Sequence, residues 1–256
     1  EIVANSEDQV KDTFKVAYEM LHENAKFKGK FSVTKELITN LATGSEMKYN
    51  TSNAKTKDGK KTGCLVLNEI HAYENYDQIT GQYGRDSVDS NLYSMITVSD
   101  NDAANTLTTY LGGGDSAAGM QAVNSFCQAH GYDQTHMGRM LLASNENDDN
   151  YTSVGDCGHL LQEIYKQDTS GYTHAADMFN LLKAQTRCNK IPAQLPEGVK
   201  TANKTGELDN VENDAGIIYD SKNDVVIVFM SQNLSSAGSA QNTIATLSRT
   251  IYDYYN

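Results

Sequence analysis

Met95-Ile96-Thr97-Val98-Ser99-Asp100-Asn101-Asp102-Ala103-Ala104-Asn105-Thr106-Leu107 is the stretch on which the reading of this chain turns. Ser87 to Ile96 has the spacing of a helix and leads into Ser99-Asp100-Asn101. Asp102 to Leu111 resumes a helical pattern and is closed by Gly112-Gly113-Gly114. A polar triplet thus stands between two helices. Far along the chain, on a strand-like stretch from Thr201 to Thr205, lies a second short polar element, Lys204-Thr205-Gly206.

Working outward, the middle of the chain is mostly helical. Ala117 to His130 reads as a helix closed by Gly131, and Ala143 to Asn150 as a polar loop. Thr152-Ser153 caps a helix running to about Lys166, and Asp177 to Thr186 forms another. The ends differ. Residues 6–24 carry Val10, Phe14, Ala17, Met20 and Leu21 at steps of three and four, an amphipathic helix with Gly29 beyond its end. Lys30 to Ile38 alternates as a strand, Thr43-Gly44 marks a turn, and Glu46 to Thr51 is a return strand. Residues 52–61 form a polar loop, and Cys64 to Tyr76 is an apolar, helix-compatible run. Near the C-terminus, Thr201 to Thr205, Ala215 to Tyr219 and Val225 to Met230 are strand-like, and Ala240 to Tyr254 is a last amphipathic helix.

The chain has 256 residues, 39% hydrophobic and 21% charged, enough for a substantial core and unlike a disordered composition. Its net charge of −12 argues against nucleic acid or an anionic membrane as partner. No apolar run approaches the ~20 residues of a membrane-spanning helix. Histidines 22, 71, 130, 136, 159 and 174 form no pair four residues apart, and no metal or other cofactor is expected. Cys64, Cys127, Cys157 and Cys188 show no C-x-x-C spacing and permit three pairings, among which sequence does not choose.

Ser99-Asp100-Asn101 followed by Lys204-Thr205-Gly206 resembles the S-D-N and K-T-G elements of class A β-lactamases and penicillin-binding proteins. The likeness extends to Tyr151–Gly158, to Lys190–Gly206 and to Asn213-Asp214-Ala215, in order along nearly the whole chain, and is closest to Gram-positive members. It implies an α/β (α+β) fold, with an antiparallel sheet built from both termini, flanking helices and an inserted all-helical lobe. Residues 1–256 would be a single unit, with an α/β lobe of about 1–62 and 198–256 and a helical lobe of about 63–197. By the same resemblance Ser99 donates a hydrogen bond and moves a proton toward a leaving nitrogen. Asn101 would hold a substrate amide. Lys204 and Thr205, followed by Gly206, would face a substrate carboxylate. The implied partners are a β-lactam or a peptidoglycan stem peptide. The expected setting is extracellular or at the cell surface, with export by a signal not in this chain, and the expected state is a monomer.

The family's third element, S-x-x-K, carries the nucleophile and a lysine one helical turn on. Two registers bear on the reading. Counting back from Ser99, Val66 to Ile79 resembles the body of the nucleophile helix, which places Thr62 and Leu65 at the serine and lysine positions. A leucine cannot accept a proton, so that register describes a degraded nucleophile. One literal match is Ser32 and Lys35, within the alternating stretch where positions three apart face opposite ways. The family's deacylating glutamate, two residues after an arginine, is also missing: Arg139 fits the arginine, position 141 is Leu141, and Glu146 has the wrong spacing. Asp148 or Asp149 would pair with Arg139 to close that loop. Three readings follow: a catalytically impaired protein that binds through the retained pocket, an active serine hydrolase using Ser32 and Lys35, or a surface scaffold.

Overall fold

The computed structural model describes residues 2–4, 30–33, 37–41, 46–51, 75–166 and 174–256. The chain divides into two compact units, residues 1–58 and 59–256. The expected helix 6–24, the loop 52–61, most of the run Cys64–Tyr76, and Lys35, Thr62, Cys64 and Leu65 lie outside the described residues.

The first unit carries a four-stranded sheet in the order β1-β4-β3-β2, with β1 at Ile2–Ala4, β2 at Phe31–Val33, β3 at Leu37–Asn40 and β4 at Glu46–Thr51. The alternation from Lys30 to Ile38 is two antiparallel strands, not the single strand expected, with Val33 opposite Ile38 and Ser32 opposite Thr39. Alternation reports an extended backbone but not where it reverses. β4 returns antiparallel to β3, within the bounds expected for it. β1 pairs parallel to β4, Ile2 opposite Tyr49, which makes this sheet mixed.

The second unit holds α1 (Tyr76–Tyr83), α2 (Arg85–Thr97), α3 (Asn101–Leu111), α4 (Ser116–Ala129), α5 (Val154–Lys166), α6 (Ala175–Lys183) and α7 (Ala237–Tyr255). An antiparallel sheet of β5 (Lys200–Leu208), β6 (Val211–Tyr219) and β7 (Val225–Phe229) completes it. One helix continuing to Ile79 was expected. Its described part begins at Asn75, which occupies the N-cap position of α1 with φ −101° and ψ 17°; residues 66–74 lie outside the described residues.

Packing explains the rest. α2 buries Val88, Leu92, Met95 and Ile96, and α3 buries Ala103, Ala104, Leu107 and Thr108, each at three- and four-residue steps. α3 and α4 approach so closely at Gly119 that a Cβ there would lie 1.9 Å from the Thr108 carbonyl oxygen. On β6, Val211 to Ile218 are all buried, as expected of a strand covered on both faces. The apolar faces of α5 (Leu160, Leu161, Ile164) and α6 (Met178, Leu182) belong to the same core as Ala202 and Ile217 of the sheet. Ile244 of α7 packs with Ile191, Ile218 and Ile227 in a second core. Among the described residues no helix is long and apolar enough to cross a membrane.

Candidate functional site

The corner between α2 and α3 is built by backbone and capping bonds. The Val98 and Asp100 amides both donate to the Ser94 carbonyl. The Asp100 carboxylate caps α3, accepting from the Asp102 amide at 2.9 Å and the Ala103 amide at 3.1 Å. Between them Ser99 takes φ 62°, in the left-handed region that a non-glycine residue enters at a cost of about 1–2 kcal/mol. The segment after α6 straps this corner down. The Thr186 amide (3.0 Å) and hydroxyl (2.7 Å) donate to the Thr97 carbonyl, and Arg187 donates to the Val98 carbonyl from Nε and Nη2. This strap is why α6 ends at Lys183, short of the Thr186 that periodicity suggested.

Lys204 joins the corner to β5. Its side chain is 2% exposed, and Nζ donates to Ser99 Oγ at 2.7 Å and to the Thr205 carbonyl at 2.5 Å. Thr205, also buried, accepts at Oγ1 from Gln185 Nε2 at 3.4 Å. Asn101 stands half-buried at the first position of α3 and makes no side-chain hydrogen bond among the described residues. Gly206 pairs with Asn213 across β5 and β6. The fold thus brings the Ser99-Asp100-Asn101 corner and the Lys204-Thr205-Gly206 strand together, through the Ser99–Lys204 bond. Ser32 is exposed on β2 of the first unit, in a strand and not at a helix start.

Behind this face lies a cluster that no sequence motif announces. Lys190 is fully buried; its Nζ is 2.7 Å from Glu212 Oε2, 3.0 Å from Glu207 Oε1, and donates to the Asn213 carbonyl at 3.0 Å. Glu212 Oε2 meets Lys190 as an ion pair without the alignment of a hydrogen bond, while its Oε1 accepts from Gln241 at 2.9 Å. The other Glu207 oxygen takes Arg187 Nη1 at 3.0 Å. Asp214 is buried beside them, accepting from Asn203 Nδ2 and the Ile191 amide, each at 2.9 Å. Burial pushes its carboxyl up to about 6, although those two hydrogen bonds and the charges of Lys190 and Lys204 pull the other way. The only sequence signal was the density of Lys, Glu and Asp on strand-like segments, which is equally the mark of a solvated edge.

The loop after α4 closes on itself. Arg139 Nε donates to Asp149 Oδ1 at 2.8 Å, and His136 Nε2 lies 2.8 Å from Asp148 Oδ2, so Asp149 is the carboxylate that pairs with Arg139. Leu141 is fixed through its backbone to Asn105, and Glu146 is exposed. Cys188 is an exposed free thiol, and Cys127 and Cys157 are buried. Among the described residues no three His, Cys, Asp or Glu side chains converge as a metal would require.

A sequence model of the Beta-lactamase enzyme family matches residues 77–255, which spans the corner, the strap, the strand and the closed loop. The chain belongs to that family. Solved β-lactamases share its fold. The β-lactamase from Sphaerobacter thermophilus superposes with a TM-score of 0.64 at 18% identity, over 83% of this chain and 88% of that one. The ancestral class A β-lactamase of Gram-negative bacteria gives 0.64 at 19% identity, over 96% and 100%. The class A β-lactamase from Mycobacterium abscessus gives 0.62 at 18%, over 83% and 89%. A search of the curated proteins finds no match to the chain. This β-lactamase-like chain is therefore a mixed α/β protein of the serine-hydrolase fold.

Proposed function

We propose that this β-lactamase-like chain is an exported, monomeric protein of the Gram-positive type. It binds carboxylate-bearing ligands, β-lactams or peptidoglycan stem peptides, and is catalytically impaired. The observation that carries the reading is the Lys204–Ser99 bond at 2.7 Å, which preserves the carboxylate-binding half of the family's site as a built unit. Lys204 supplies a buried positive charge, and Asn101, Ser99 and Thr205 supply hydrogen bonds to an amide and a carboxylate. The catalytic half is where the chain departs. Thr62 and Leu65 stand at the nucleophile and lysine positions in the preferred register, and Leu141 stands where a deacylating glutamate is expected. A crowded secondary hydroxyl with no base beside it is a poor nucleophile.

The test is intact-mass spectrometry after incubation with excess benzylpenicillin, paired with thermal unfolding in the presence of benzylpenicillin or a muropeptide. Unchanged mass with a rise of several degrees in Tm is the expected result. A stable adduct that disappears in Ser32→Ala would make this an acylating serine hydrolase. Unchanged mass and unchanged Tm would leave the scaffold reading.

A further inference from the structure

The cations around the Lys204 strand already have carboxylates. Among the described residues, Lys204, Lys190 and Arg187 face Glu207, Glu212 and Asp214. Glu212 and Asp214 are buried on β6 and belong to the interior. Glu207 is different. It follows Gly206 directly, its side chain keeps 30% of its surface exposed, and its two oxygens are divided between Arg187 and Lys190, each at 3.0 Å. Arg187 is 45% exposed at its side chain and reaches the Val98 carbonyl, next to Ser99. Partial burial pushes the Glu207 carboxyl up, but the bond to Lys190 and the charges of Lys190, Arg187 and Lys204 more than reverse this and hold it below the ordinary range. It is an anion at neutral pH.

We infer that Glu207 is the specificity-determining residue of this site. Its carboxylate occupies the exposed guanidinium of Arg187 as a second ligand carboxylate would, so the site accepts ligands with one carboxylate and rejects those with two. This inference deepens the proposed binding role and rests on it. The physical reason is that a ligand dianion brings its second charge to a rim whose exposed cation, Arg187, is already paired with a carboxylate, so that the two like charges compete for one guanidinium. Rejection of like charge is a common source of specificity. Lys190 plays no part in this choice, because Glu212 at 2.7 Å remains its counterion when Glu207 is neutralised.

The experiment compares binding of benzylpenicillin, with one carboxylate, and carbenicillin, with two, to wild type, Glu207→Gln and the double variant Glu207→Gln/Arg187→Gln. Calorimetry is run at low and at 1 M salt. The readout is the ratio of the two affinities, which a uniform loss from disturbed packing does not move. Glu207→Gln is expected to shift the ratio toward carbenicillin by about three- to tenfold at low salt. The shift should collapse at 1 M salt and in the double variant, where Arg187 is no longer there to receive the second carboxylate. An unchanged ratio, with benzylpenicillin bound by wild type, overturns this inference and leaves the binding role standing. Binding of benzylpenicillin by Glu207→Gln but not by wild type overturns both, because the native site then does not accept even one carboxylate. No binding by either protein overturns both.

Discussion

Asn105 grips Leu141 by both of its backbone groups. Its Oδ1 accepts from the Leu141 amide at 2.9 Å, and its Nδ2 donates to the Leu141 carbonyl at 3.1 Å. A side chain of α3, one turn from the Ser99 corner, thereby sets the path of the loop closed by Arg139 and Asp149. Asn105→Ala removes both bonds and strands two partly buried backbone groups. It should lower the unfolding free energy by about 1–3 kcal/mol and speed proteolysis between residues 139 and 149. Urea denaturation and limited digestion check the two effects. Undiminished stability with unchanged digestion would show that the ion pairs alone hold the loop.

The Lys190 cluster makes a stronger demand on folding. Lys190→Met keeps the bulk of the stem but leaves Glu212 buried without its cation. Removing one partner of a buried pair costs about 3–5 kcal/mol. Lys190→Met should therefore lose far more stability than Lys200→Met, whose ion pair with Asp220 is exposed. Parallel chemical denaturation of the two variants makes the comparison, and similar losses would refute the ranking.

Asp214 links stability to pH in the less usual direction. Its folded carboxyl sits near 6, above the ordinary value of 3.8, so the native state holds the proton more tightly than the unfolded chain does. Stability from this group is full below about pH 4, declines as pH rises to about 6 and is then constant, a loss of about 2–3 kcal/mol. Asp214→Asn does not titrate. The stability difference between wild type and Asp214→Asn should therefore move by that amount, against wild type, from pH 4 to pH 7. A difference independent of pH would show that the carboxyl is not raised.

Backbone strain at Ser99 separates from its hydrogen bond. Ser99→Ala and Ser99→Gly both remove the acceptor of Lys204, but only glycine adopts φ 62° without strain. Ser99→Gly should be the more stable of the two by about 1 kcal/mol. Both variants should lose ligand-induced thermal stabilisation. Equal stabilities would place the strain elsewhere in the corner.

The helices were legible because burial on one face imposes its period on the sequence. Asp102–Leu111 and Ala117–His130 differ from α3 and α4 by a residue at each end or less. β6 was read four residues short. Glu212, Asn213 and Asp214 look like loop residues, yet they are buried, with Lys190 and Gln241 meeting the Glu212 carboxylate, the Ser231 amide meeting Asn213 Oδ1 and Asn203 meeting Asp214. Polarity in a sequence marks exposure only when no partner arrives from elsewhere in the chain. The same limit governed the site. Ser99 and Lys204 lie in recognisable triplets, so they were found. Glu207, Lys190 and Arg187 derive their roles from neighbours up to 89 residues away and carry no local signature. The turn at Asn75, where α1 begins, is a local feature that an apolar run does not report.

The covering of β6 on both faces has an operational consequence. It is paired to β5 along its whole length and to β7 from Asp214 to Ile218, and its side chains from Val211 to Ile218 are buried, so it belongs to the part of the second unit that opens last. Lys204 sits in register with Ala215 on that strand. A ligand held by Lys204, as proposed, would lose that anchor when the sheet opens, and a fluorescent one would become a thermometer for the protein's integrity in mixtures where spectroscopy is blind.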